Sequence, residues 1–241
     1  MYFRNISLFK MEGPAPSNNE TILDIKVSDV AVLLDKNPYQ SKEDTINLIF
    51  SGKKREYLHL SQAKKVYESD ENIKQIIDNN LDAAAVQSTL MPTASLIEVK
   101  EQINIANRVS GIVDETKIGE LFTSATGIKI YPIKNKAATI LTYRGFNAVL
   151  KGRSDGIGYA AGGEKVLIEI KRRRRAFSQN DYDIIQIYLY LYLYNMNRIF
   201  LVEYLDGIIN YSIFTRDDKK INDYLDQLRA VLIHHVDSIS L

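Results

Sequence analysis

KGRSDGIGYAAGGEKVLIEIKRRRR, Lys151–Arg175, is the stretch on which the reading of this chain turns. Gly162 and Gly163 divide it into two runs of strand-forming residues, Gly156–Ala161 and Val166–Ile170, so it reads as a β-hairpin. Asp155 stands at the start of the first strand. Glu169 and Lys171, two apart on the returning strand, share a face because strand side chains alternate with period two. Register decides whether Asp155 joins them. A two-residue turn at Gly162-Gly163 sets Asp155 opposite Ile170 and sends Glu169 to the other face, whereas a three-residue turn, Gly162–Glu164, sets Asp155 opposite Lys171 and restores the shared face. With an odd-length turn or a bulge, two carboxylates and an ammonium converge. That donor set suits a hard divalent cation and a water poised to attack a phosphodiester. The alternative open at this level is that Glu169 and Lys171 face solvent and Asp155 only forms a turn before Gly156.

Downstream, Asp181–Tyr194 holds YLYLYLY, Tyr188–Tyr194, whose period of two suggests a strand. Its uncharged run is too long for an ordinary strand. Ser178, Asn180 and Asp181 supply helix-capping chemistry before it, and Asn195 can stop it, so a buried helix is expected. Gln186 and Tyr190, four apart, then point the same way. A glutamine among Ile184, Ile185, Ile187 and Tyr188 needs a polar partner, which an active-site carboxylate or water shell would supply. Strands at Ile199–Tyr204 and Ile208–Phe214 flank an Asp206-Gly207 turn, and Asn222–His235 closes the chain as an amphipathic helix.

Upstream, residues 11–22 are rich in proline and asparagine and read as a linker after a short leading segment, which leaves 23–241 as a single domain. Residues 23–108 form a helical platform with helices at Val27–Leu34, Ser41–Phe50 and Ser61–Asp78. The core, 109–215, opens with a helix over Ser110–Ser124 and continues through short strands at Ile128–Ile133, Thr139–Tyr143 and Ala148–Gly152; residues 216–241 carry the last helix. The fold class is α/β, a central mixed β-sheet flanked by helices. The absence of cysteine removes disulfides, thiolate metal sites and cysteine nucleophiles, and with only His59, His234 and His235 an all-histidine metal site is improbable. Metal chemistry must therefore rest on carboxylates, which favours Mg²⁺, with Mn²⁺ as the other candidate. The 31 basic residues nearly cancel the 30 acidic ones, so any charged partner must be read from local clusters such as Lys171–Arg175. The longest uncharged stretch, Ile184–Asn197, falls short of the roughly 20 apolar residues of a membrane span. No export signal is visible, so an intracellular location is expected, with no membrane partner.

Taken together, GRSDGIG, VLIEIKRRRR and YDIIQIYLYLYLYNMNRIFLVEYLDG resemble the PD-(D/E)xK nuclease superfamily, in its phage lambda exonuclease and viral alkaline exonuclease branch, with a restriction-endonuclease-like core. The Gln186-x-x-x-Tyr190 element narrows the resemblance. The spacing of Gly111, Glu115, Leu121, Phe122, Thr126 and Gly127 matches that branch's upstream helix, and it selects Glu115 over the nearby Glu120. Val27–Ile46 is similar to the family's opening helix, where Ser28 matches a serine beside a 5′-phosphate pocket. The family's arginine ahead of that serine has no counterpart: Thr21 stands at its place and Lys26 is the nearest cation. The resemblance covers roughly Leu23–Tyr204. It implies that Asp155, Glu169 and the Ile170 carbonyl hold a metal ion and that Glu115 reaches it directly or through water. It further implies that Lys171 positions the attacking water and that Gln186 and Tyr190 shape the site. Arg172, Arg173, Arg174 and Arg175, with Ser28 and Lys26, are the expected DNA contacts.

The activity implied is a Mg²⁺-dependent 5′ to 3′ deoxyribonuclease on duplex DNA ends, serving viral or phage-type recombination or replication in the cytoplasm or nucleus of a host cell, infected or not. A single-strand annealing protein and a homotrimer are the partners the resemblance suggests. An endonuclease or RNA-degrading nuclease on the same core, or an inactive nucleic-acid-binding module, are the alternatives. GIGYAA, Gly156–Ala161, matches a dinucleotide fingerprint only in spelling, because a strand follows it where the fingerprint demands a helix. SGKK, Ser51–Lys54, lacks the rest of a P-loop.

Overall fold

The structure, a computed structural model, describes residues 20–52 and 60–239. The leading segment and linker up to residue 19, and His59, lie outside the described residues. A first strand, β1 (Thr21–Lys26), runs directly into α1 (Val27–Leu33). The helices α2 (Lys42–Phe50), α3 (Leu60–Ser69), α4 (Glu71–Asp78), α5 (Ala83–Thr89) and the long α6 (Leu96–Thr126) follow. Their boundaries have local causes. The side chains of Ser41, Asp70, Asp82 and Ser95 each accept a hydrogen bond from a backbone N–H in the first helical turn. Gly127 ends α6 in the left-handed conformation, φ +73°.

The strands fall into two mixed sheets. In the first, β3 (Phe146–Gly152) lies between β1, which it pairs in parallel, and β2 (Lys136–Tyr143), which it pairs antiparallel across an Arg144-Gly145 turn with positive φ at both residues. The second has the order β4 (Gly156–Tyr159), β5 (Lys165–Arg172), β6 (Arg198–Leu205), β7 (Ile208–Thr215). Its central β5 and β6 are parallel and joined by the crossover helix α7 (Asp181–Tyr194); α8 (Asp218–Ile239) closes the fold. Helix α7 is buried along most of its length against α1, α8 and the sheets, which is why leucine and tyrosine cover all its faces. Among the described residues no helix is long and apolar enough to cross a membrane.

Four expectations are corrected here. The single central sheet is two sheets, divided where the chain passes from Gly152 to Gly156. The first described strand starts at Thr21, inside the expected linker, where β3 supplies it with a parallel partner. Ser61–Asp78 is two helices, since Asp70 takes an extended backbone and caps α4. Ile128–Ile133 forms no strand and contributes one bridge, Tyr131 to Ile157.

Candidate active site

The β4–β5 hairpin is closed by Ala161–Gly163, with Ala160 N–H donating to the Glu164 carbonyl at 2.9 Å. This three-residue turn begins one residue earlier than the sequence suggests. Gly156 pairs with Ile168, so the same register carried back one step sets Asp155 opposite Glu169 rather than Lys171. The displacement is two residues, which keeps the shared face. Along β5, Leu167 packs in the core that contains α7 and Lys171 bonds to it, whereas Val166 and Ile168 pack with α6 and Arg172 pairs with it. Glu169 therefore points toward α7. Its Oε1 accepts from Lys171 Nζ at 2.8 Å, and the same ammonium donates to Gln186 Oε1 at 2.8 Å. Gln186 is half-buried and finds its polar partner in that lysine.

Asp155 is fixed by the backbone. Its Oδ2 accepts from Ile170 N–H at 2.6 Å, while the buried Ser154 hydroxyl donates to the Ile168 carbonyl at 2.7 Å. Glu115 comes from α6 on the other side. With Arg153, Asp155 and Ile170 it lines an open groove of about 740 Å³ that runs past Glu120, Lys129 and Tyr131. Glu169, Lys171 and Gln186 do not line this groove, but Glu169 and Lys171 lie within electrostatic reach of Glu115 and Asp155, which do.

The charges nonetheless interact. Burial, and then repulsion from Glu115, push the Asp155 carboxyl up to about 6. Burial, and then repulsion from Asp155, push Glu169 up to about 8. Glu115 is raised in the same sense, chiefly by burial, with Arg153 pulling it back. Burial opposes the charge on Lys171, but Glu169, Asp155 and Asp183 together more than offset it, and the ammonium is held above its ordinary value. Glu169 Oε2 is buried without a hydrogen-bond partner. Among the described residues no three His, Cys, Asp or Glu side chains form a ready-made metal cage. Asp155 and Glu169 are the carboxylates available to a cation, with Glu115 across the groove.

Tyr190 is buried, and its ring lies where a side chain on Gly152 would have to go. Tyr194, one turn further on, donates from its hydroxyl to the carbonyls of Lys134 at 2.7 Å and Gly152 at 3.3 Å. Sequence reasoning missed Tyr194 and Arg153. The signals were present: Tyr194 continues the Gln186 and Tyr190 spacing to i+8, and Arg153 precedes Asp155 by two. Ser28 is exposed on the first turn of α1, next to Val27, which also closes on Gly152, and Lys26 is the residue before that turn.

The basic run is largely committed within the molecule. Arg172 pairs with Asp114 of α6 at 2.7 Å. Arg173 is clamped by Asp183 at 2.8 Å and Glu203 at 2.7 Å, and Arg174 bonds Asn80, Asn107 and the Leu81 carbonyl. Arg175 is exposed. Three of the four guanidinium groups thus have partners within the chain.

No family model and no curated protein sequence matches the chain. Solved structures do. The alkaline exonuclease LHK-Exo from Laribacter hongkongensis is similar at 14% identity with a TM-score of 0.50, over 90% of this chain and 90% of that one. The same protein in complex with dAMP gives 16% identity and a TM-score of 0.52, over 90% and 89%. The chain has the fold of that alkaline exonuclease. A phage-related exonuclease from Haemophilus somnus 129PT is similar at 10% identity with a TM-score of 0.40, over 90% and 96%. The expected α/β class, a mixed sheet flanked by helices, is the class observed, with two mixed sheets in place of one.

Proposed function

We propose that the chain is a divalent-metal-dependent nuclease that hydrolyses phosphodiester bonds in DNA, acting as a 5′ to 3′ exonuclease on duplex ends in phage- or viral-type recombination or replication. One observation carries this reading. The hairpin register carried one step past Gly156 and Ile168 sets Asp155 opposite Glu169, repulsion from Asp155 raises the Glu169 carboxyl, and Glu169 Oε2 is left buried without a partner. A hard cation answers both the excess charge and the orphaned oxygen. Magnesium is ordinarily held by one or two carboxylates, waters and substrate phosphates rather than by an all-protein cage, so the small donor set suits it. Asp155, Glu169 and the Ile170 carbonyl would hold the ion, Mg²⁺ or Mn²⁺, with Glu115 reaching it directly or through water. Bound there, it would polarise the phosphodiester and acidify the attacking water.

The protein's own groups do the rest. Lys171 stays protonated among its carboxylates, so it serves as a positioning donor rather than a base, and Glu169 and Gln186 fix the direction of its N–H groups. Arg153 places a cation in the groove within electrostatic reach of Glu115 and Asp155, where it would meet the phosphate of an incoming strand. Tyr190, wedged against Gly152, holds the helical face that presents Gln186. An endonuclease is the second reading, favoured by Thr21, which stands exposed at the start of β1 where the related nucleases place a phosphate-gripping arginine. The deciding experiment is digestion of end-labelled linear duplex beside a covalently closed circle, with Mg²⁺ or EDTA. The expected outcome is loss of the linear DNA alone, only with Mg²⁺. Asp155→Asn and Glu169→Gln should abolish it while DNA affinity persists, and an Asp155→Asn protein that cuts at the parent rate sinks the assignment.

A further inference from the structure

The Gly156-Ile157-Gly158-Tyr159 segment does something the cleavage chemistry does not call for. A Cβ on Gly156 would stand 2.2 Å from Ile130 Cγ2, and one on Gly158 would stand 2.4 Å from Ile128 Cγ2. The two glycines therefore let residues 128–131 lie directly against β4. Tyr131 and Ile157 then exchange backbone hydrogen bonds of 2.8 and 3.0 Å. With its backbone pinned, Tyr131 keeps its side chain outward: it is 46% exposed and lines the groove that holds Glu115, Arg153 and Asp155. Tyr159, 51% exposed, meets it edge to face at 6.1 Å between ring centres. Lys129 and Arg153, both exposed, are cations of the same groove.

We infer that Tyr131, backed by Tyr159, is a stacking platform for an unpaired nucleobase of a DNA strand in this groove, with Lys129 and Arg153 taking its phosphates. The inference rests on the nuclease reading only for the identity of the polymer. Two half-exposed rings on a rigid backbone contribute little to the core, but a ring with a free face binds any base whose own face is open. A base inside a duplex is already stacked on both sides, so the occupant is single-stranded. Tyr159 lies four residues along the chain from Asp155, about 13 Å at strand rise, so the platform would hold a base within a few nucleotides of the scissile bond.

The test is binding of a fluorescently labelled dT oligonucleotide and of an abasic oligonucleotide of equal length, followed by anisotropy in EDTA so that nothing is cut. Tyr131→Ala should weaken dT binding roughly tenfold and leave abasic binding unchanged, while Tyr131→Phe keeps the parent affinity. The chain has no tryptophan, so Tyr131→Trp gives a single reporter whose emission dT should quench and the abasic strand should not. Equal losses for the two oligonucleotides, or no quenching by dT, would overturn the platform. Base-dependent binding in a parent that never cleaves with Mg²⁺ removes the nuclease reading and leaves the platform standing; cleavage without base dependence does the reverse.

Discussion

Arg173 lies between Asp183 and Glu203, whose side chains are each 1% exposed, and its guanidinium also reaches the Ser178 carbonyl at 2.7 Å. Removing one member of such a group leaves charge buried without a counter-ion. Arg173→Ala should therefore cost about 3–5 kcal/mol of stability, read as a lowered urea midpoint. Arg175→Gln should alter stability by no more than about 0.5 kcal/mol, because that side chain lies at the surface. If Arg175 meets a phosphate, the same substitution should reduce the salt dependence of DNA binding by up to about one unit. These two neighbours show what the sequence could and could not disclose. Five cations in a row are legible, as is their alternation while the strand lasts. Their partners, Asp114, Asn80, Asp183 and Glu203, lie on four other segments, and only the folded chain brings them to the run. Asp155, Glu169, Lys171 and Gln186 sit on one hairpin and the helix after it, so periodicity showed which of them could share a face, while the register that brings them together was open until the fold.

Helix α7 is bounded where its sequence says, at Asp181 and Tyr194, although Asn180 at its N-cap makes no side-chain capping hydrogen bond. Asn195 adopts φ +49°, which asparagine tolerates better than most residues, and so stops the helix. By contrast, β1 was not legible. Its apolar alternation, Leu23 and Ile25, is too short to signal a strand, and its pairing partner is β3, distant in the chain. The junction of these elements is tight. A Cβ on Gly152 would stand 2.7 Å from Val27 Cγ2 and 2.8 Å from Tyr190 Cε1, so only glycine lets β3, α1 and α7 meet there. Gly152→Ala should lower stability by about 1–3 kcal/mol. Adding Val27→Ala should recover part of that loss, and equal losses with and without it, in a double-mutant cycle by thermal denaturation, would show that the contact is not what constrains the site.

For the whole molecule, the raised carboxylates tie stability to pH. In the unfolded chain Asp155 and Glu169 release their protons near pH 4, whereas in the folded protein they hold them to about 6 and about 8. The folded state thus binds more protons across this interval, and the contribution, complete below the unfolded values, is lost as pH rises through the folded ones. Lys171, also raised, acts only at alkaline pH and does not cancel it. In EDTA the melting temperature should fall between pH 5 and 8.5, and Glu169→Gln should flatten that fall, by about 2–4 °C for each kcal/mol of burial penalty removed. An identical slope in the variant would contradict the burial argument. The parallel pairing of Thr21 with Phe146 reaches further still. On the ribosome, β3 emerges about 125 residues after β1, which at about 5–20 residues per second is roughly 6–25 s. Throughout that interval Leu23, Ile25, Val27, Val30 and Leu33, all of which end in the core, have no sheet or α7 to cover them. This early segment is among the last that can be completed, and arrested nascent chains should keep it open to protease until α7 has left the tunnel.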